Sequence, residues 1–394
     1  MNYRRPCVRL NKSLYGLKQA GRIWYLCLSE YLIKCGFETN EICPCLFIKR
    51  KQAEIAIIGI YVDDIVMVGS DAAMESAMFE LKAMFKVKDL GSLSYCLGLQ
   101  VMQTSTGVIL HQARYIQKLL KEFNMGDVTR SPKTPMVVRS LHPEADVFGP
   151  RRESEKVLGS EYPYQKAIGA LLYLANCSRP DIAFAVNVLA RYTSHPTMRH
   201  WHGIKQVLRY LARTKNYGLK YHRGPRTDAI ITDDLIGYAD AGYLSDPHKA
   251  RSQSGYVFLS AGAAIAWRST KQTLVATSTN QAEIIALYEA CRECVWFRRI
   301  IEFVREALGI DRPTKPITIY EDNKACVTQV QQGYIKTDRS KHIDPKFFFM
   351  HELNGKQLQV VSVGSEQNVA DLFTKSLGST RHYKLLQGLG MTKL

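Results

Sequence analysis

The sequence predicts a multidomain protein of mixed α/β and α+β class, and three observations carry that reading. The chain has 394 residues and a mass of 44.7 kDa, more than one ordinary hydrophobic core encloses, so two or three domains are expected. Apolar residues make up 46% of it, enough for packed cores and against general disorder. Short β-branched runs and helix-period segments alternate along it, interrupted by one aperiodic stretch over residues 128–160.

Residues 12–37 read as a loop entering an amphipathic helix. Trp24, Leu28, Tyr31 and Leu32 recur at helical spacing and Gly36 ends the run. Three β-like segments follow, "CLFIKR", "AEIAIIGIYV" and "IVMVGS". Only Asp63 and Asp64 separate the last two, which predicts a hairpin with that pair at or beside its turn. "AMESAMFELKAMFKV" reads as a helix, "LSYCLGLQVMQT" and "GVILHQ" as a second hairpin, and "RYIQKLLKEFNM" as a short helix. Residues 128–160 hold four prolines and no periodicity, the marks of an exposed, poorly ordered linker.

Over residues 161–230 three helices are expected: "YQKAIGALLYLANC", "DIAFAVNVLARYTS" and "MRHWHGIKQVLRYLART". The last combines His200, His202, Lys205, Arg209 and Arg213 with Trp201 and Tyr210. It reads as a solvated face opposite a packed one, with contact to a nucleic-acid backbone as the alternative. From about residue 235 four strand-like runs, "LIGYADAGY", "SGYVFLSA", "AAIAWRS" and "TLVATS", precede the long helix "NQAEIIALYEACRECVWFRRIIEFVREAL". Then "PITIYED" and "QLQVVSVG" (strands) alternate with "NKACVTQVQQG" and "VADLFTKSL" (helices). That order predicts a mixed sheet flanked by helices over residues 231–380.

Lys and Arg number 53 against 36 acidic residues, a formal charge of +17. Such an excess suits a polyanionic partner, nucleic acid before an anionic membrane surface. No apolar run approaches the roughly 20 residues needed to span a bilayer, so no membrane association is expected. The first residues have charge but no apolar stretch of signal-peptide length. The ten cysteines are therefore expected to be reduced thiols of an intracellular protein, cytoplasmic (particle-associated) or nuclear. Cys43 with Cys45, and Cys291 with Cys294, lack a second pair or a histidine at finger spacing, which favours thiols over structural zinc.

Four acidic residues in the C-terminal third sit where chemistry would want them. Asp240 lies in or at the end of a strand, Glu283 on the first turns of the long helix, Asp322 at the end of "ITIYED", and Asp371 at the start of the last helix. Half-buried carboxylates repel one another unless cations neutralise them, so such a cluster is the usual makeup of a divalent metal site. Taken singly, an Asp at a strand end is a turn former or helix cap more often than a ligand, and the sequence does not show that the four converge.

"GYADAGYLSDPHKARSQSGYVFLSAGAAIAWRSTKQTLVATSTNQAEIIAL", with "YEDNKAC", "RSKHID" and "NVADLFTKSL", resembles the ribonuclease H domain of copia-type LTR retrotransposon Pol polyproteins, plant members especially. The resemblance implies a ribonuclease H-like mixed five-stranded sheet flanked by helices. It also implies two Mg²⁺ ions, with Mn²⁺ as a substitute, at Asp240, Glu283, Asp322 and Asp371. The implied reaction is endonucleolytic cleavage of the RNA strand of an RNA–DNA hybrid, leaving a 3′-hydroxyl and a 5′-phosphate. Ser278 and Asn323 are implied neighbours of the nucleic acid, and His342 a substrate-side or structural residue.

"RLNKSLYGLKQAGRIWY" and "YVDDIVMVGS" resemble reverse transcriptase palm motifs of the same elements, so residues 1–127 are expected to be a partial palm and thumb. "IGALLYLANCSRPDIAFAVNVLARYTS" resembles the helical connection before the ribonuclease. By the same resemblance Asp63 and Asp64 form half of a polymerase metal site and Tyr61 flanks the primer end. Lys18, Gln19 and Arg22 would line the nucleotide and template-primer side. Nucleotidyl transfer needs a further carboxylate from another strand, and no aspartate precedes Asp63. The expectation is thus a polymerase fragment inactive alone, joined to a complete ribonuclease H. A non-catalytic nucleic-acid-binding remnant is the alternative.

Overall fold

The computed structural model describes residues 9–125, 131–223, 235–333 and 343–394, a mixed α/β molecule with three sheets. It divides into two compact units, residues 1–93 with 299–312, and residues 94–298 with 313–394.

The smaller unit holds α1 (Ala20–Lys34), an antiparallel sheet of β1 (Leu46–Lys51), β2 (Glu54–Tyr61) and β3 (Asp64–Gly69), and α2 (Asp71–Met84). Alternation along β2 buries Ala56, Ile58 and Ile60. These pack with Leu28 and Leu32 of α1, Phe47 of β1 and Leu81 of α2 into one cluster. The expected hairpin is present, with Tyr61 paired to Asp64 across its turn.

In the larger unit β4 (Tyr95–Cys96), β5 (Leu99–Thr104), β6 (Gly107–His111) and α3 (Ala113–Glu122) come first, followed after residue 131 by the helices α4 (Tyr164–Cys177), α5 (Ala183–Ala190) and α6 (Met198–Arg213). β7 (Tyr217–His222) pairs with β6, so that a second antiparallel sheet joins segments more than a hundred residues apart. A third sheet takes β8 (Ile236–Asp246), β9 (Arg251–Ser260) and β10 (Ala263–Lys271), after which α7 (Thr279–Ala307) begins. β11 (Ile317–Glu321), α8 (Lys324–Gln332), α9 (Phe349–Leu353) and β12 (Leu358–Ser362) follow, and α10 (Ser379–Gly388) and β13 (Met391–Lys393) end the chain. The third sheet runs β10-β9-β8-β11-β12, antiparallel through β8 and parallel from β8 to β12. β13 closes the second sheet against β7.

Three expectations fail here. "TLVATS" forms no strand: Leu274 and Val275 are exposed and the segment pairs with nothing in the sheet. "VADLFTKSL" is a 3₁₀ turn over Val369–Phe373, not a helix. Nor is the described part of residues 128–160 an exposed linker. It carries only one 3₁₀ turn, Pro143–Ala145, yet Met136 and Phe148 join the main core. Arg139 donates to both carboxylate oxygens of the buried Asp146, at 3.1 and 2.7 Å. Proline content and lost periodicity identify a loop, but they do not reveal that its polar groups find buried partners.

A second buried ion pair ties the helices together. Arg179, fully buried, donates to Asp181 at 2.9 and 2.6 Å and to the carbonyl oxygen of Thr214 at 3.0 Å. Tyr210 Oη donates to Asp181 Oδ2 at 2.7 Å and lies 3.1 Å from His382 Nε2 on α10. Tyr210→Phe leaves Asp181 short of a donor and His382 short of a partner. It is expected to cost about 1–3 kcal/mol in denaturant unfolding; a loss under about 0.5 kcal/mol would show that the network contributes little.

Candidate active site

Register brings the first two carboxylates together. β8 and β11 run parallel with Thr318 beside Ile236 and Tyr320 beside Tyr238. Two residues further along each, the same register sets Asp322, just past β11, next to Asp240 within β8. Glu283 comes from the second turn of α7, whose start is fixed by reciprocal caps. Ser278 Oγ accepts the Gln281 N–H at 3.1 Å, and Gln281 Oε1 accepts the Thr277 N–H at 2.7 Å. Gln272 Nε2 adds a bond to the Ala282 carbonyl at 2.9 Å.

One ligand atom from each of Asp240, Glu283 and Asp322 lies within 4.8 Å of the others. Asp240 is fully buried and Glu283 is 8% exposed. Behind them lies Glu321, also fully buried, whose Oε1 accepts the Asn323 N–H at 3.1 Å. Oε2 of Glu283 and Oε2 of Glu321 have no hydrogen-bond partner among the described residues. Burial, reinforced by Glu321, Asp240 and Asp322, pushes the Glu283 carboxyl up to about 11. Burial pushes Asp240 up to about 6, against the pull of Lys375; it raises Asp322 too, and Glu321 well above the carboxylate range. Close-set carboxyls with orphaned oxygens are the donor set that a hard divalent cation satisfies.

Asp371 sits on the 3₁₀ turn and is buried, but it stands outside that three-residue group. Lys375 Nζ lies 2.5 Å from its Oδ1 and Arg381 pairs with its Oδ2. The same Lys375 Nζ is 3.1 Å from Asp240 Oδ1, and the Thr374 hydroxyl donates to Asp240 Oδ2. Burial lowers the basicity of Lys375, yet Asp240 and Asp371 outweigh it and hold the ammonium above its ordinary value. Glycine permits this approach: Gly255 pairs with Asp240, and a Cβ there would stand 2.7 Å from Phe373 Cβ and from Thr374 Cγ2. All these residues belong to the larger unit.

Sequence reasoning missed Glu321, Thr374, Lys375 and Arg381. Lys375 had a signal, since it stands four residues after Asp371; Arg381 had none. Ser278 caps α7, and Asn323 caps α8 by accepting the Cys326 N–H at 3.0 Å. His342 lies outside the described residues. Cys291 and Cys294 are buried free thiols, Cys43 and Cys45 are free, and none of them belongs to a metal-ligating group among the described residues.

In the smaller unit Asp63 and Asp64 are exposed at the hairpin turn beside the exposed Tyr61. They form no group with a third ligand among the described residues. Val62 takes φ +52°, a left-handed conformation that costs a β-branched residue about 1–2 kcal/mol. Trp24 Nε1 on α1 donates to the Val62 carbonyl at 2.8 Å and braces the turn. Lys18, Gln19 and Arg22 are exposed at the entry to α1. Val62→Gly is expected to release that strain, offset by about 0.5–1 kcal/mol of backbone entropy. Its unfolding free energy should lie within about 1 kcal/mol of the parent; a larger loss would show that the valine side chain itself holds the turn.

Similarity to known proteins gives the class of the chain: a Pol-derived protein with a reverse transcriptase region. Residues 2–138 match the family described as reverse transcriptase (RNA-dependent DNA polymerase). The Pol polyprotein from transposon TNT 1-94 of Nicotiana tabacum is 33% identical over 93% of this chain and 27% of its own length. That from transposon RE1 of Arabidopsis thaliana is 33% identical over 98% of this chain and 25% of its own length. The putative transposon Ty5-1 protein YCL074W of Saccharomyces cerevisiae is 31% identical over 71% of this chain and 87% of its own length. The chain belongs to the Pol proteins of copia-type retrotransposons, and it spans about a quarter of the length of the two plant relatives. Among solved structures, LC11-RNase H1 in complex with RNA/DNA hybrid matches at 20% identity and a TM-score of 0.26, covering 36% of this chain and 94% of that one. Among the described residues no helix is long and apolar enough to cross a membrane.

Proposed function

We propose that the larger unit is a metal-dependent endoribonuclease that cuts the RNA strand of RNA–DNA hybrids. The observation that carries the reading is the convergence of Asp240, Glu283 and Asp322, three ligand atoms within 4.8 Å, beside buried carboxyl oxygens that have no hydrogen-bond partner among the described residues. The motif resemblance and the charge of +17 support a nucleic-acid substrate. Asp240, Glu283 and Asp322 would hold Mg²⁺, and Asp371 would lie beside them. A divalent ion in such a site supplies Lewis-acid charge and a water of lowered pKa. The protein's own part is positional. Lys375 and Thr374 fix the Asp240 carboxylate, and Arg381 fixes Asp371. Burial keeps bulk water from competing for these oxygens.

The smaller unit we read as part of a polymerase palm, with Asp63 and Asp64 on its hairpin; the family match over residues 2–138 supports that reading. The test of the nuclease is direct. The full chain with Mg²⁺ is expected to cut the RNA of an end-labelled hybrid and to leave single-stranded DNA intact, and chelation should abolish cutting. Hybrid that is bound but uncut in both Mg²⁺ and Mn²⁺ would defeat the proposal and favour a binding remnant.

A further inference from the structure

Asp371 is already neutralised by the protein, whereas of the three clustered carboxyls only Asp240 meets a cation among the described residues, and it shares that cation with Asp371. Both Asp371 oxygens are engaged by cations, Oδ1 by Lys375 at 2.5 Å and Oδ2 by Arg381. The Lys375 ammonium reaches past it to Asp240 Oδ1 at 3.1 Å, and so occupies the ground between Asp240 and Asp371. Among the described residues no equivalent cation is paired with Glu283, and its Oε2 has no hydrogen-bond partner. We infer that the acidic centre takes a single divalent cation, at Asp240, Glu283 and Asp322, and that Lys375 supplies the second positive charge, between Asp240 and Asp371. The inference rests on the metal site proposed above.

Charge balance supports it. Asp240, Glu283, Asp322 and Asp371 carry four negative charges when ionised, and Lys375 with Arg381 returns two positive ones. The remaining two are what one divalent ion neutralises; a second would leave an excess of two positive charges in a poorly solvated site. Glu321 stands apart from the sum, because its Oε1 is taken by the Asn323 N–H and it lies outside the group of converging ligand atoms. Lys375 is also placed to stay: the 3₁₀ turn at Val369–Phe373 packs close over Gly255, which carries Thr374 and Lys375 to Asp240. In this role Lys375 is a positioning residue that sets how many ions bind.

The experiment counts ions on the full chain, by Mn²⁺ electron paramagnetic resonance and by Mg²⁺ calorimetry, for the wild type, Lys375→Met and Lys375→Arg. The wild type and Lys375→Arg are expected to bind one ion each. Lys375→Met is expected to admit a second, or to hold the first at least about tenfold tighter, since a neighbouring cation is removed. Two ions of comparable affinity on the wild type would overturn the inference, as would a Met variant identical to it in count and affinity. If the Met variant fails to fold, the wild-type count alone decides. One ion bound with the hybrid left uncut upholds the inference and defeats only the proposed reaction; no ion bound defeats both.

Discussion

Asp240→Asn is expected to lower kcat/KM for hybrid cleavage at least about a hundredfold, while the protein remains folded. Asp240 is the fully buried member of the cluster and the one that touches both halves of the site. Its carboxyl lies within ligand distance of Glu283 and Asp322, and it bonds to Lys375 and Thr374 on the other side. Asparagine keeps the shape, and its Oδ1 can still accept from Lys375 while its Nδ2 donates to the Thr374 hydroxyl, but it removes the charge that a cation needs. It also removes a repulsion, because burial and Asp371 both work against the ionised Asp240. The variant should therefore melt no more than a few degrees below the parent without metal, and should lose most of the stabilisation that Mg²⁺ gives the parent. An Asn variant that cuts hybrid at more than half the parent rate would remove Asp240 from the site.

The second large effect is on stability, and its sign is opposite to that of most carboxylates. The folded-state pKa of Glu283 stands at about 11 against an ordinary value of 4.5. The folded form therefore takes up the proton more readily than the unfolded one. The stability this confers is complete below about pH 4.5 and is lost as pH rises towards 11. Below about pH 6.5 a histidine hides this trend: burial pushes His382 down to about 4 from an ordinary 6.5, so its contribution grows as pH rises through that window. From about pH 7 to 8 the shifted His382 no longer contributes and the raised carboxyls of the acidic centre set the slope. The buried thiols Cys291, Cys294 and Cys326, also raised, add to it in the same direction as pH approaches about 8.5. In chelator, the unfolding free energy should fall there by about 1.4 kcal/mol per pH unit from Glu283, and by more because Glu321 is raised as well. Mg²⁺ should reverse the slope, because it binds the ionised form. Glu283→Gln should make both slopes shallower. A metal-free melting temperature that rises across this window would contradict the account.

How much of this was legible in the sequence depends on what each residue's signal required. The hairpin at Asp63 and Asp64, the helix α8 and the strands β8, β9 and β11 follow from period and turn chemistry, which are local. Asp240, Glu283 and Asp322 stood out as acidic residues inside apolar elements, and motif resemblance grouped them. Glu321 escaped because it shares a strand end with Asp322, and nothing local says that the neighbour is buried as well. Thr374 reaches the site through the packing of the 3₁₀ turn over Gly255, and Arg381 reaches it from α10 through its pair with Asp371. The Arg139–Asp146 pair was invisible for the same reason: its burial is a property of the tertiary fold, in a segment whose composition says loop. "TLVATS" shows the converse error, where β-branched composition meets no neighbouring strand.

The order of strands in the third sheet also has a meaning in time. Asp240 and Asp371 are about 130 residues apart in the chain. At roughly 5–20 residues per second of synthesis, a ribosome releases the first some 7 to 26 s before the last. Until β11 has aligned beside β8, and the 3₁₀ turn has closed over Gly255, the carboxylates are scattered side chains on separate segments. A nascent chain thus carries no assembled acidic centre. The centre is a property of the completed fold, formed only when β8, α7, β11 and the 3₁₀ turn have come together.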